Sequence, residues 1–101
     1  MRRGEVWWAR LPSGRRPVLV LTRDAAIPLL DTVTIAPTTT RVRGIPTEVV
    51  IDIADGMPSA SVVTLDNVQI VPKRSLNKRI TSLSPARLEE ICEALTYALG
   101  C

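Results

Sequence analysis

Three groups of residues in this chain have the types needed to hold a phosphate. Arg15 and Arg16 stand side by side ahead of Pro17 and the aliphatic run Val18–Leu21. Thr38, Thr39 and Thr40 run directly into Arg41 and Arg43. Asp66 and Asn67 follow a hydrophobic stretch, with Gln69 two residues beyond. A guanidinium can clamp a phosphate through two parallel hydrogen bonds, and threonine hydroxyls can bond its other oxygens. The amides of Asn67 and Gln69 could reach the edges of unpaired RNA bases. Each group also has a plainer reading. The arginine pair could be a solvated turn, the threonines could be there for β-propensity, and Asp66-Asn67 could be a turn.

Missing residue types narrow the chemistry. The chain has no histidine, which excludes Ser-His-Asp and Cys-His arrangements and a histidine-pair nuclease. It has no phosphate loop ending in Gly-Lys and no dinucleotide fingerprint. The acids outside the C-terminal segment are scattered rather than clustered for two metal ions. Cys92 and Cys101 are too few for a disulfide framework or a structural zinc site. Cys92 is expected to pack in a core and Cys101 to be exposed. No metal or cofactor is expected.

The elements that must position these groups are mostly strands, separated by Pro, Gly, Ser and Asp. Strands are expected at Glu5–Leu11, Arg16–Thr22, Thr32–Thr39, Glu48–Ile53 and Ser61–Leu65. Gln69–Val71 reads as a short continuation or a sixth strand, and Lys78–Leu83 as a last one. The segments Pro12–Arg15, Arg23–Leu30 and Arg41–Pro46 read as loops or connections. Pro37 implies a bulge or an edge strand. Asp55-Gly56-Met57-Pro58 is a turn signal. The end of the chain changes period: Leu88, Ile91, Cys92, Leu95, Ala98 and Leu99 share one helical face. Ser84 suits the N-cap, Pro85 the first helical position and Gly100 the position after the last turn, giving a helix over Pro85–Leu99. The active groups then lie at strand ends of a strongly bent sheet or partly open barrel closed by one helix. The adjacent Trp7 and Trp8 should face opposite sides of their strand. One can enter the core, and the other can pack on a loop, cover an interface or stack on a base.

A length of 101 residues suits one domain over 1–101, and 46% hydrophobic content can form a core. The apolar runs are too short to span a membrane, and Met-Arg-Arg-Gly-Glu does not open a secretory signal. A cytoplasmic protein is expected. The net charge is +3, but the first 84 residues hold 12 basic and 7 acidic residues, a net of +5. That basic surface suits an anionic partner such as nucleic acid.

Taken together, "RRGEVWWARL", "RRPVLVLT", "TIAPTTT" with "IPTEVVI", "SASVVTLDNVQIV" and the terminal "ALG" resemble the MazF/PemK endoribonuclease toxins of bacterial toxin–antitoxin pairs. The resemblance spans nearly the whole chain. It implies a small SH3-like barrel of the CcdB/PemK/MazF type, working as a homodimer. Such a toxin cuts single-stranded RNA at short sequences without a metal, leaving 2′,3′-cyclic phosphate and 5′-hydroxyl ends and arresting translation and growth. A cognate antitoxin would lay an extended C-terminal segment over the RNA groove. The family's arginine before proline corresponds to Arg16 and its threonine after the third strand to Thr38. An aspartate of the PemK branch corresponds to Asp66, although Thr64 stands where that branch has an arginine. Arg15, Arg23, Thr39, Thr40, Arg41, Arg43, Asn67 and Gln69 are the expected RNA contacts. Two alternatives stay open: a gyrase-poisoning toxin of the same fold, disfavoured by a C-terminus lacking tryptophan, and a non-catalytic SH3-like RNA-binding module.

Overall fold

Pro12 and Gly14 shape the first hairpin. In the computed structural model, which describes residues 1–101, β1 (Glu5–Leu11) and β2 (Gly14–Val20) pair antiparallel with Leu11 opposite Gly14. Only Pro12 and Ser13 lie between them. The mirror-image turns usual in two-residue hairpins put the first central residue at positive φ or require it of both, which proline cannot adopt. Gly14 supplies the left-handed residue instead, at φ 118°. β2 therefore begins at Gly14 rather than at Arg16 and ends at Val20 rather than Thr22. Arg15 and Arg16 are strand residues, opposite Arg10 and Ala9. Beyond the end of β2, the Thr34 backbone N–H donates to the Thr22 side-chain oxygen (2.8 Å), so a hydroxyl extends the ladder.

β3 (Thr32–Thr39) lies inside the sheet, not at its edge. On one side it pairs with β2. On the other its first half pairs with β6 (Gln69–Pro72) and its end with β5 (Ser61–Thr64). Pro37 stands at this change of partner. Its carbonyl accepts the Thr64 hydroxyl at 2.9 Å. In an antiparallel strand a residue's nitrogen faces the same edge as its carbonyl. The missing N–H thus falls at the junction between two partner strands, which is how an interior strand tolerates proline.

β4 (Glu48–Ile51) borders β5, and β7 (Leu76–Ser82) borders β1, giving the order β4-β5-β3-β2-β1-β7 with β6 on β3. β4 stops two residues before Ile53 because Asp52 caps a 3₁₀ turn, Ile53–Asp55, through reciprocal side-chain bonds with Asp55. Residues 65–67 likewise form a 3₁₀ turn after β5. β7 starts earlier than expected and pairs along most of β1 with two register shifts. Those shifts flank the tryptophans, which part as expected. Trp7 packs on the core and donates its indole N–H to Glu5 Oε1 (3.1 Å), whereas Trp8 faces a cleft.

Alternation along β1, β2 and β3 feeds two apolar clusters, one on each face of the bent sheet. Val6, Leu19 and Ala36 join Ile51, Met57, Val63 and Leu65 in one. Ala9, Val18, Val20, Val33 and Ile35 join Leu76 in the other. Helix α1 (Pro85–Leu99) covers the first cluster with Ile91 and Ala94. Its ends are those expected: Ser84 Oγ accepts the Arg87 N–H, and Gly100 is left-handed at φ 71°. The buried stripe, however, runs through Leu88, Ile91, Ala94, Leu95 and Ala98. Cys92 lies at its rim and is exposed, not in the core; its sulfur accepts from Arg3 Nη2 at 3.4 Å. The small Ala94, which the spacing did not single out, takes the central place. The result is the expected mostly β fold with one C-terminal helix. No helix is long and apolar enough to cross a membrane.

Candidate active site

The start of β2 and the end of β3 meet, and two clefts open on either side of the meeting point. Arg16, Thr38 and Thr39 line both. The larger cleft, about 310 Å³, adds Trp8, Arg15, Pro17 and Thr40 on one side and Met57, Pro58, Ser59 and Ser61 on the other. The smaller, about 150 Å³, adds Pro37, Arg41, Arg43, Thr64 and Asn67. No carboxylate, cysteine or histidine lines either cleft. The three ion pairs of the fold use Arg79 and Arg87, so Arg15, Arg16, Arg41 and Arg43 keep their charge free for an anion.

The threonines are not equivalent. The Thr38 hydroxyl donates to the Pro17 carbonyl at 2.8 Å, and the side chain is buried. A hydroxyl has one proton and two lone pairs, so in this arrangement Thr38 can offer only acceptor capacity to an occupant. Thr39 Oγ1 accepts the Arg41 backbone N–H at 3.2 Å, which leaves its proton free for a phosphate oxygen. Thr38 also ties the end of β3 to the residue after Arg16, so the backbone carrying the guanidinium is held on both sides. Glu48 holds the basic loop: its Oε1 accepts the backbone N–H groups of Arg43 and Gly44 at 2.9 and 3.0 Å.

Not every expected residue joins this group. Arg15, Arg16, Thr38, Thr39, Thr40, Arg41, Arg43 and Asn67 do. Asp66 lines neither cleft; its carboxylate is exposed and accepts the Thr47 hydroxyl at 2.6 Å. Gln69 is exposed on β6, opposite Ile35. Arg23 lines a separate cleft with Leu30, Ile70 and Leu99. Conversely, the wall made by Met57, Pro58, Ser59 and Ser61 was legible only as a turn followed by a strand. Its place beside Arg16 comes from β5 pairing with the end of β3.

That wall is anchored through Asp55. The Asp55 carboxylate accepts Arg87 Nε at 3.0 Å, and its carbonyl accepts the Thr81 hydroxyl at 2.8 Å. Burial pushes the Asp55 carboxyl up, but Arg87 and the Asp52 backbone N–H outweigh it and hold it below the ordinary carboxylate range. Arg87, bonded to Asp55 and Glu90, is pushed up. Glu5 is also pushed up by burial. The Trp7 indole and the Arg2 backbone N–H, with the N-terminal ammonium and Arg79, bring it below its usual value. A carboxyl lowered in the fold contributes stability that is complete above its unfolded value and lost as the pH falls through its folded one. Urea midpoints are therefore expected to stay level from pH 7 to about pH 5 and to drop below it. Asp55→Asn should be less stable at pH 7 and show a shallower acid slope. An unchanged slope would show that Asp55 does not carry this dependence.

A bent antiparallel sheet with one C-terminal helix, and an acid-free arginine–threonine site at its strand ends, defines a small β protein suited to an anionic polymer. The chain belongs to the PemK-like, MazF-like toxins of type II toxin–antitoxin systems, whose family model matches residues 2–99. It is 43% identical over 102 residues to a protein named probable endoribonuclease MazF2 from Mycobacterium tuberculosis, covering 100% of both chains. Its fold is similar to the Mycobacterium tuberculosis toxin MazF-mt6 (TM-score 0.90, 40% identity), covering 95% of this chain and 96% of that one. It is also similar to an endoribonuclease in complex with its cognate antitoxin from a mycobacterial species (TM-score 0.91, 30% identity), covering 99% and 95%.

Proposed function

We propose that this toxin is an endoribonuclease that cuts single-stranded RNA by using the RNA's own 2′-hydroxyl, without a metal ion. The observation that carries this reading is the cleft pair sharing Arg16, Thr38 and Thr39, with unpaired arginines on both sides and no acid in the lining. Attack of the 2′-oxygen on the adjacent phosphorus forms a five-coordinate, charge-rich transition state. It breaks the bond to the 5′-oxygen; the proton lost by the 2′-hydroxyl passes to water and the departing 5′-oxygen takes one from water, giving a 2′,3′-cyclic phosphate and a 5′-hydroxyl. Arg16 stabilises the developing charge with a fixed fork of N–H donors. The Thr39 hydroxyl donates to a phosphate oxygen. The Thr38 oxygen, its own proton engaged by Pro17, accepts from the 2′-hydroxyl and orients it. The polymer runs from one cleft to the other across this ridge, with Arg15 on one side and Arg41 and Arg43 on the other. Cutting cellular RNA in this way arrests translation and growth.

The decisive experiment incubates the purified chain with long single-stranded RNA in EDTA and maps the ends. Discrete cuts with 5′-hydroxyl ends are expected. Cutting only after a divalent ion is restored, or no cutting by folded protein, would refute the reading. The same experiment separates it from a gyrase-poisoning or purely RNA-binding role.

The antitoxin partner follows the same logic: an extended, acidic segment would compete with RNA for the free arginines, and salt would weaken both. A homodimer is supported by the apolar face at the third cleft, where Ile70 and Leu99 are 72% and 65% exposed beside Leu30. Light scattering is expected to give twice the chain mass for the wild type and a shift to monomer for Ile70→Lys. A wild-type monomer at micromolar concentration would contradict the dimer.

A further inference from the structure

The Ser61 hydroxyl is buried and has no hydrogen-bond partner within the protein. Ser61 is 6% exposed and stands in the wall of the larger cleft. A buried unpaired hydroxyl is costly to a fold and calls for an explanation. Nothing in the packing of β5 requires one, since Ser61 begins the strand opposite Ile51 and alanine would fit the same place. The rest of the cleft is unlike its neighbour. Arg15 lies over the Trp8 ring, 4.4 Å from its centroid, and Met57 and Pro58 supply an apolar wall. The smaller cleft is lined by arginines, threonines, an asparagine and a proline, with no large apolar side chain. A flat guanidinium–indole pair, an apolar wall and one unsatisfied hydroxyl suit a planar heterocycle with a polar edge.

We propose that the larger cleft is a nucleobase pocket for the nucleotide on one side of the scissile phosphate, and that the Ser61 hydroxyl reads the edge of that base. This rests on the endoribonuclease reading, because Arg16 at the mouth of the cleft places the phosphate. The base stacks on the Arg15–Trp8 pair, Met57 and Pro58 exclude water behind it, and the hydroxyl turns to donate or accept at the edge. Recognition is then asymmetric. One flank of the cut is read by stacking and a single hydroxyl, the other by the polar and cationic side chains of the smaller cleft. Leaving the hydroxyl unpaired in the free protein is what gives discrimination: a base that cannot bond it leaves it unpaired in the complex as well.

The test compares wild type and Ser61→Ala in two assays. Cut sites are mapped on a randomised single-stranded RNA pool. Binding is measured with 2′-O-methyl oligonucleotides, which cannot be cut, varied one base at a time. The wild type should prefer particular bases at one position next to the cut, and Ser61→Ala should relax that preference about tenfold while leaving preferences on the other flank unchanged. Its melting temperature should be equal to or above that of the wild type, because the lost hydroxyl had no partner; a merely structural serine would not relax one position alone. The binding arm gives an answer even if the wild type cuts nothing, so failure of the pocket and failure of the endoribonuclease reading are distinguishable. An unchanged base profile in Ser61→Ala, or a wild type with no preference at any adjacent position, overturns the proposal.

Discussion

Arg16→Ala is expected to lose about 10³-fold in RNA cleavage rate while keeping its fold. The size follows from what the guanidinium does. It is the charged side chain common to both clefts, and no carboxylate in the fold pairs with it. In the proposed reaction its full charge and fork of donors are therefore available where the phosphorus would become five-coordinate. The fold should survive because Arg16 is only half-buried and its side chain bonds nothing within the protein. Arg16→Lys should recover part of the rate, since a point charge returns without the paired donors. Arg15→Ala should act differently. Arg15 lies on Trp8 at an exposed rim, so its loss should weaken RNA binding and its salt dependence more than the cutting step. Single-turnover rates at saturating RNA separate the two. Equal losses for Arg15→Ala and Arg16→Ala would show that neither residue is special to the transition state.

Gly56→Ala is expected to cost roughly 3 kcal/mol of stability, from a strained backbone and a steric clash together. Gly56 closes the 3₁₀ turn Ile53–Asp55 at φ 93°, and its N–H donates to the Ile53 carbonyl at 3.0 Å. A Cβ there would come within 2.9 Å of Thr81 Cβ and collide with the Thr81 hydroxyl. Thr81 cannot simply turn away, because that hydroxyl holds the Asp55 carbonyl. For a chain of this size the loss corresponds to a melting temperature lower by roughly 12–24 °C. Activity should fall as well, since the next residue, Met57, bridges the core and the cleft wall. A double-mutant cycle with Thr81→Ala isolates the steric part: the second change should relieve the collision but not the left-handed backbone. A loss below about 0.5 kcal/mol in Gly56→Ala, the range of an ordinary surface change, would contradict this account of the turn.

The parts of the molecule legible in the sequence are those decided within a few residues. Ser84, Pro85 and Gly100 mark the ends of α1, and each does so through bonds to its own neighbours. The aliphatic Val18–Val20 reads as a covered strand because any strand of that composition must be covered on both faces. Hairpin geometry is harder to read. Gly14 looks like part of a loop, yet it belongs to β2, and that shift turns Arg15 from a loop residue into a strand residue lying on Trp8. Pro37 suggests an edge only because one residue type cannot reveal that β3 changes partner there.

The candidate site divides along the same line. Arginines and threonines at strand ends stand out by type and place, and the resemblance singles out Arg16 and Thr38 among them. The bond that ties Thr38 to the residue after Arg16, its hydroxyl to the Pro17 carbonyl, spans 21 residues and has no local signature. Ser61 carried no signal at all, since a serine opening a strand is ordinary until its hydroxyl is found buried and unpaired. Asp66 shows the converse. The resemblance matches it to an aspartate of the PemK branch, but the 3₁₀ turn of residues 65–67 sets its carboxylate on the Thr47 hydroxyl, and it lines neither cleft.

The central claim is that the substrate supplies the nucleophile and the protein supplies the charge. One measurement addresses it directly. An RNA oligonucleotide containing a mapped cut site is made with a single 2′-deoxy sugar on the 5′ side of the scissile phosphate and incubated with the wild-type protein in EDTA. The unmodified oligonucleotide should be cut there to a 2′,3′-cyclic phosphate and a 5′-hydroxyl, and the 2′-deoxy version should bind but remain intact at that bond. Cleavage of the 2′-deoxy bond at a comparable rate would contradict the account, because the attacking oxygen would then have to come from water or the protein.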